Sequence, residues 1–350
     1  MSKENSKHNT MRLRYRIMIP ALLAAAAVNG QAPALHLDNY TIPVGKSGAT
    51  VGNIYTPQGA AKGVQLAEDT SGLFAISKKG VLQLKKKVGI GADASMQYAV
   101  TLKAGDASES FILVKDEFHR NKIVAHRGAW KNNGGSQNSI TSFRDAVRIG
   151  CEGSEFDVWL SKDGVPVLSH DPHIGGKSIE ETPVAELTTI ELKNGDHVPL
   201  FEDYIKEGMK QNKTRLVLEL KPSKTGRGEQ LAQTCMDLIR KYKCEAWMLY
   251  ISFDYGICKK LVSIDPHAKV AYLNGDKTPE QLKADGIWGF DYNFKVIDKD
   301  PNIFKEARKN NVTVNIWTVN TPEQMSAYLN AGADFLTTDE PEKALEIVKK

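Results

Sequence analysis

Apolar and polar residues alternate in short runs between about Leu35 and Lys115. The segments "LHLDNYTIPV", "LFAISKKGVLQL", "QYAVTLKAG" and "ESFILVK" carry this two-residue period, clearest in "YAVTLKA" and "FILV", with turn-forming residues between them. Recurring short strands without helices predict a small β-sandwich. From Lys122 onward the pattern changes. Apolar runs fall at 122–127, 153–159, 215–221, 247–253, 269–273, 288–292, 313–319 and 334–338, and segments of helical period lie between most of them, at 139–149, 227–242, 301–310 and 322–331. The last of these has Thr321 as N-cap, Pro322 at its first position and Gly332 as its stop. About eight strand–helix units in succession predict an α/β fold, a closed TIM-type (β/α)8 barrel, with a doubly wound open sheet as the alternative. Polar residues at the C-terminal end of nearly every strand favour the barrel, because that rim is where a barrel builds its site.

The ends and the composition narrow this picture. "MRLRYR", "IMIPALLAAAAV" and "NGQA" follow the order of a secretory signal, so residues 1–32 are expected to be a signal region, 33–117 the sandwich and 118–350 the barrel. The apolar run is short for a membrane span and no cysteine follows it, which argues against stable membrane insertion after cleavage and against a lipid anchor; an uncleaved anchor is the alternative. The expected location is outside the cytoplasm, periplasmic or extracellular. A net charge of +4 with no long basic run beyond the N-terminal flank gives no nucleic-acid surface. Cys151, Cys235, Cys244 and Cys258 match no zinc spacing and are expected to be free or only locally paired, Cys235 with Cys244. "GLFAISKKGVLQLKKK…MQYAVTLKAGDASESFILV" resembles cadherin-like repeats, yet most of the acidic calcium ligands of such repeats are missing, so a spacer or docking module is expected there without calcium.

Residues two apart on a strand face the same way. "SEFDVW" therefore aims Glu155 and Asp157 together, and "LVLELK" aims Glu219 and Lys221 together. If those sides face the barrel axis, three carboxylates and a lysine meet at its mouth. Carboxylates at close range take up protons unless a cation neutralises them, and three hard oxygen ligands suit one divalent cation, Mg²⁺ or Ca²⁺. Ion pairs with Lys221 and Arg127 are the alternative. His126 and Arg127 end the first strand, and His170 and Asp171 end "VPVLSHD", which follows the turn "SKDG" and is expected to form a hairpin on the second strand. Two histidines on the rim of an acidic cluster can serve as general base and general acid, while Arg127 and Lys221 suit a phosphate, so the set points to chemistry on a phosphate ester.

"AHRG", "QNSITSF", "GSEFDVWLSKDGVPVLSHD", "LELK" and "IWTVN", in this order and spacing, together resemble the glycerophosphodiester phosphodiesterases from about Lys122 to the C-terminus. The resemblance implies a TIM-type barrel and a divalent metal held by Glu155, Asp157 and Glu219. It implies His126 and His170 as the acid–base pair, Arg127 and Lys221 on the phosphate, and Trp317, Gln137 and Asn138 at the substrate pocket, with a helix-capping role equally open for Asn138. The segment at 174–205 matches a helical excursion that the family inserts before its third strand. Family members usually carry glutamate where Gln137 stands; the glutamine brings no charge. The implied reaction is attack of the glycerol hydroxyl on phosphorus, followed by opening of the cyclic phosphate by water, with a small-molecule glycerophosphodiester as substrate. Two other functions stay open: a phospholipase-D-like enzyme on lysolipids or sphingolipids, and a non-catalytic phosphate-binding protein. Nothing in the sequence specifies an oligomeric state.

Overall fold

The computed structural model describes residues 34–349. The expected signal region lies outside the described residues. Eight parallel strands, β1 (Ile123–Ala125), β2 (Gly153–Leu160), β3 (Arg215–Leu220), β4 (Met248–Ser252), β5 (Val270–Tyr272), β6 (Gly289–Asn293), β7 (Thr313–Trp317) and β8 (Phe335–Thr338), pair in sequence order. β1 pairs with both β2 and β8, which closes the sheet into a barrel and excludes the open-sheet alternative. Helices between the strands cover the outside.

The period-two reading of β2 holds. Phe156 turns outward onto Phe201 and Tyr204, with ring centroids 5.8 and 4.1 Å away, while Glu155 and Asp157 turn to the axis. Below them the interior is filled by Val124, Val217, Leu249, Ile251, Ala271 and Leu273, with Trp317 and Phe335 packed against this layer. Each valine, leucine or isoleucine among them contributes roughly 1.5–3 kcal/mol by leaving water, so the interior is a core with a polar lid. The expected hairpin is present: Pro166–Leu168 runs antiparallel to Val158–Leu160 of β2.

Strand ends differ from the sequence reading in one place that matters. β1 stops at Ala125, so His126 and Arg127 stand in the turn just after the strand. His126 N–H still donates to Thr338 at 3.0 Å, but Arg127 is left-handed, with φ 58°, and its N–H leaves the ladder. Gly128 continues the turn at φ 82°, and a Cβ there would sit 2.4 Å from Ser142 Oγ, so only glycine lets the loop pass the following helix this closely. That helix, Ile140–Ile149, is capped by Ser139, whose side chain accepts from Ser142 N–H, and ends at left-handed Gly150. Thr321, Pro322 and Gly332 bound the helix Pro322–Ala331 as expected. All four cysteines are free and buried, so the Cys235–Cys244 pair does not form.

The N-terminal unit is a two-sheet sandwich. One sheet orders His36–Leu37, Thr50–Thr56, Val81–Leu84 and Phe74–Ile76, with Gly59–Ala60 beside Thr50–Thr56; the other orders Thr41–Ile42, Ala107–Lys115, Gln97–Ala104 and Gln65–Asp69. Leu37, Ile54, Leu82, Leu102 and Leu113 are among the side chains that fill the space between them. The sandwich seats on the floor of the barrel, against residues that precede β3, β4 and β5. The Tyr55 ring lies 4.1 Å from that of His267, His36 Nδ1 lies 3.8 Å from Asp265, and Asn212 Nδ2 donates to the Lys115 carbonyl at 2.7 Å.

Glu245 is the misfit at this junction. Its Oε2 is sealed from water and has no donor, between cavities that Tyr40 and Asp265 also line. Burial, helped by Asp265, pushes its carboxyl up to about 8 from an ordinary 4.5. The folded chain thus holds a proton that the unfolded chain releases above pH 4.5, so this group erodes stability as pH rises from there to about 8, and no further. Glu245→Gln is therefore expected to raise the melting temperature most at pH 8 and to leave it unchanged near pH 4.5, at about 1–2 °C per kcal/mol recovered. Thermal unfolding of both chains across this range checks it, and an equal effect at both ends would refute the assignment.

Candidate active site

The mouth of the barrel collects the predicted acidic residues. One carboxylate oxygen from each of Glu155, Asp157 and Glu219 lies within 4.8 Å of the others, and all three residues are buried. Lys221, whose backbone N–H still donates to Val158 just past the end of β3, places its Nζ 3.1 Å from Asp157 and 2.7 Å from Glu219. Arg127 contributes twice. Its backbone N–H donates to Glu155 Oε2 at 2.7 Å, and its Nε lies 3.7 Å from Asp157. The left-handed turn at Arg127 is what frees that N–H for the carboxylate.

The electrostatics follow from burial and neighbours. Burial drives Glu155 well above the usual carboxylate range, with repulsion from Asp157 and Glu219 added and only partial relief from the Arg127 N–H. Burial and Asp157 push Glu219 up in the same way, against Lys221. Burial also opposes the charged form of Asp157, but Lys221, Asn138, His170 and Arg127 outweigh it and hold this carboxyl low. Lys221 is the mirror image: burial works against its charge, yet Asp157 and Glu219 raise it. The expected ion pairs thus exist, but they do not complete the site. Glu155 Oε1 is buried without any donor, a deficit of about 1–3 kcal/mol for a polar group and more for a charged one. An all-oxygen donor set, an orphaned carboxylate oxygen and repulsion that neighbouring cations leave unbalanced fit one hard divalent cation.

Two amides hold this cluster in shape. Asn138, left-handed at φ 59°, donates to Asp157 Oδ2 at 2.8 Å and accepts from the Asp157 N–H at 2.9 Å. Ser139, not Asn138, caps the helix. Gln137 accepts from Arg127 Nη1 at 2.7 Å. Both were expected at the substrate pocket. Both line the neighbouring cleft, but their amides are turned to Asp157 and Arg127, so their first effect is to orient the machinery. A glutamine in place of a glutamate at 137 keeps that hydrogen bond while leaving Arg127 with a neutral partner.

The two histidines occupy the same rim in different settings. His126 Nδ1 lies 2.7 Å from Asp339 Oδ1, and Asn320 fixes that carboxylate by donating to Oδ2 at 2.8 Å and accepting the Asp339 N–H at 2.9 Å. This tether engages Nδ1, so Nε2 is the ring nitrogen that could exchange a proton with a substrate. His170 Nδ1 lies 2.8 Å from Asp171, and its carbonyl accepts from Trp159 Nε1. Burial lowers the His170 imidazole below its ordinary value, with Asp157 opposing and Lys221 and Arg127 assisting. Trp317 ends β7, donates to the Asp291 carbonyl at 2.9 Å and meets Phe253 edge-on at 5.5 Å; that phenyl ring in turn faces Lys221 Nζ at 6.0 Å. Asp339 and Asn320 went unassigned in the sequence, although "TTDEP" and "TVN" put a carboxylate and an amide on the same rim, just after β8 and β7. A cleft of about 560 Å³ opens beside the cluster, between the Trp130–Asn138 loop, Ser169–Ile174 and Leu192–Asn194.

Comparison with known proteins gives a consistent result. Residues 126–343 match the model of the Glycerophosphoryl diester phosphodiesterase family. A glycerophosphodiester phosphodiesterase from Caldanaerobacter subterraneus is 28% identical over 249 residues, covering 65% of this chain and 98% of that protein. The crystal structure of a glycerophosphodiester phosphodiesterase from Parabacteroides distasonis superposes with a TM-score of 0.64 at 38% identity, covering 67% of this chain and 98% of that one. The Oleispira antarctica phosphodiesterase, solved in complex with the product sn-glycerol-3-phosphate, shares the fold with a TM-score of 0.58 at 23% identity, covering 65% and 97%.

Asp339→Asn keeps the shape of the His126 tether and removes its charge. It is expected to lower kcat for phosphodiester cleavage about 10- to 100-fold with KM and melting temperature nearly unchanged. Steady-state kinetics and thermal unfolding check this, and a KM effect alone would refute the positioning role.

Proposed function

The chain belongs to the glycerophosphoryl diester phosphodiesterase family and is a phosphoric diester hydrolase, and from that premise we propose that it is an exported, divalent-cation-dependent enzyme cleaving glycerophosphodiesters to sn-glycerol 3-phosphate and an alcohol. The observation that carries the cation is the orphaned Glu155 Oε1 within the three-carboxylate cluster. The product assignment is supported by the product bound to the Oleispira antarctica relative. Export rests on the basic and apolar segment at the N-terminus.

Glu155, Asp157 and Glu219 would hold the cation, which when bound supplies charge neutralisation at the phosphate oxygens. Arg127 and Lys221 bind and orient the phosphodiester, Arg127 through a guanidinium whose Nε has no other hydrogen-bond partner. The glycerol hydroxyl next to the ester forms a bond to phosphorus as the bond to the head-group oxygen breaks; one histidine accepts the hydroxyl proton and the other gives a proton to the departing alcohol. Water then opens the cyclic phosphate with the roles reversed. His126, tethered to Asp339, and His170, tethered to Asp171, are the two proton carriers. Asn138 and Gln137 keep Asp157 and Arg127 in register throughout.

A lipid-facing phospholipase-D-like function is disfavoured by the excursion before β3. Its apolar side chains Ile179, Leu187 and Val198 are turned inward onto Trp159 and Val167, and among the described residues the one large hydrophobic side chain that is exposed is Val44, in the sandwich.

Stripping divalent cations with a chelator is expected to lower release of the head-group alcohol at least about 100-fold, with recovery on adding Mg²⁺ or Ca²⁺. Full turnover by the stripped chain would remove the cation from the mechanism. His126→Ala is expected to cost at least about 100-fold in kcat; unaltered turnover would remove His126 from the acid–base pair, and phosphate binding by the unaltered chain with no turnover would favour the phosphate-binding alternative.

A further inference from the structure

The two proton carriers are not braced alike. The ring of His126 meets Asp339 in a sheltered setting, with the two side chains 17% and 24% exposed. The ring of His170 meets Asp171, whose side chain is 73% exposed. A carboxylate so open to water gives a pairing that is worth little and is screened by salt. It does not fix the His170 ring, so the bracing has to come through the main chain. Resting on the reading of His170 as a proton carrier, we propose that Trp159 is its positioning residue. The indole N–H holds the His170 main chain to the strand that carries two of the carboxylates, and the excursion before β3 holds the indole.

Strand β2 supplies the first half of this link. Residues two apart on a strand share a face, so Trp159 follows Glu155 and Asp157 on the side that bears the cluster. Its Nε1 donates to the His170 carbonyl at 3.2 Å, the one hydrogen bond that reaches the His170 main chain among the described residues. The residue before is tied to the same strand, because Ser169 N–H donates to the Asp157 carbonyl at 3.1 Å. Both anchors of this segment therefore run to β2, one through the backbone and one through the indole. Losing the indole bond frees the His170 main chain to move relative to Asp157. The second half of the link is what immobilises the donor. Trp159 is 3% exposed and packs with Val167, Ile179, Leu187 and Val198 in a small core of its own beside the barrel's. Ile179, Leu187 and Val198 belong to the excursion, so that segment clamps the ring, and a close-packed ring presents its N–H in one direction. Trp159 is not among the residues lining the cleft, so its influence on substrate passes through His170, which is.

Steady-state kinetics with the full chain, together with calorimetric Mg²⁺ binding, test this. Trp159→Phe keeps an aromatic ring in the seat and removes the donor. It is expected to lower kcat for glycerophosphodiester cleavage about 10-fold, the scale of a small misplacement of a proton carrier, with KM and Mg²⁺ affinity nearly unchanged. His170→Ala alone is expected to cost at least about 100-fold in kcat. In that background Trp159→Phe is expected to change kcat by less than about twofold, because residues that act through one group do not add. A mere loss of stability would lower turnover in both backgrounds, so the comparison separates positioning from folding. Unchanged kcat in Trp159→Phe, or the same loss persisting once His170 is alanine, overturns the proposal. A fall in Mg²⁺ affinity that matches the fall in kcat also overturns it, since the indole would then be bracing the carboxylates. Unaltered turnover by His170→Ala sinks the proton-carrier reading itself, whereas a loss there with none in Trp159→Phe sinks the Trp159 assignment alone.

Discussion

Repulsion among three carboxylates on two adjacent strands is the constraint around which the rest of the barrel is arranged. Glu155, Asp157 and Glu219 sit within 4.8 Å of one another in a buried position that water cannot screen. Each neighbouring feature addresses that repulsion: Lys221 bridges Asp157 and Glu219, Asn138 clamps Asp157, and the Arg127 backbone covers one oxygen of Glu155. What they leave uncovered, Glu155 Oε1, is the chemical opening of the molecule. A fully satisfied cluster would be an inert ion-pair network. This one is incomplete, and its three oxygen donors could hold a hard divalent cation.

Backbone strain is placed where it serves this cluster. Arg127 and Asn138 are both left-handed non-glycine residues, and the Asn138 N–H donates to the Arg127 carbonyl, so the two turns brace each other. Such residues cost roughly 1–3 kcal/mol each. The return is a guanidinium, a backbone N–H and an amide, all aimed at two carboxylates from one short loop. The Gly128 turn lets that loop lie against the helix that Ser139 caps. His126 is braced on the same principle: Asn320 holds Asp339 at Oδ2 and at its backbone N–H, and Oδ1 meets His126 Nδ1.

Much of this was legible from residue spacing. The change from period two to alternating strands and helices separated sandwich from barrel, and the E-x-D and E-x-K spacings in β2 and β3 put the charged side chains on one face. These are local rules, and they held because a strand has only two faces. Partners supplied by distant segments were not legible. Asp339 and Asn320 reach His126 only after β1, β7 and β8 close the barrel, and nothing in "TTDEP" alone separates a tether from a helix-starting acid. Gln137 and Asn138 were placed at the substrate because the resemblance put them there; that their amides face protein partners depends on two left-handed turns that sequence does not announce for arginine or asparagine. Glu245 shows the limit from the other side. It reads as an ordinary surface acid at the start of β4 until the sandwich covers it.

The seating of the sandwich fixes the polarity of the whole molecule. Its contacts include those with His267, Asp265 and Asn212, residues that precede the strands, whereas the three carboxylates and both histidines stand where the strands leave. Anything attached to the sandwich is therefore held behind the carboxylate cluster, and the mouth looks out into the opposite half-space, with none of the described sandwich residues among those lining its cleft. Such a molecule behaves like a lamp on a bracket: changing the bracket moves the beam without altering its colour.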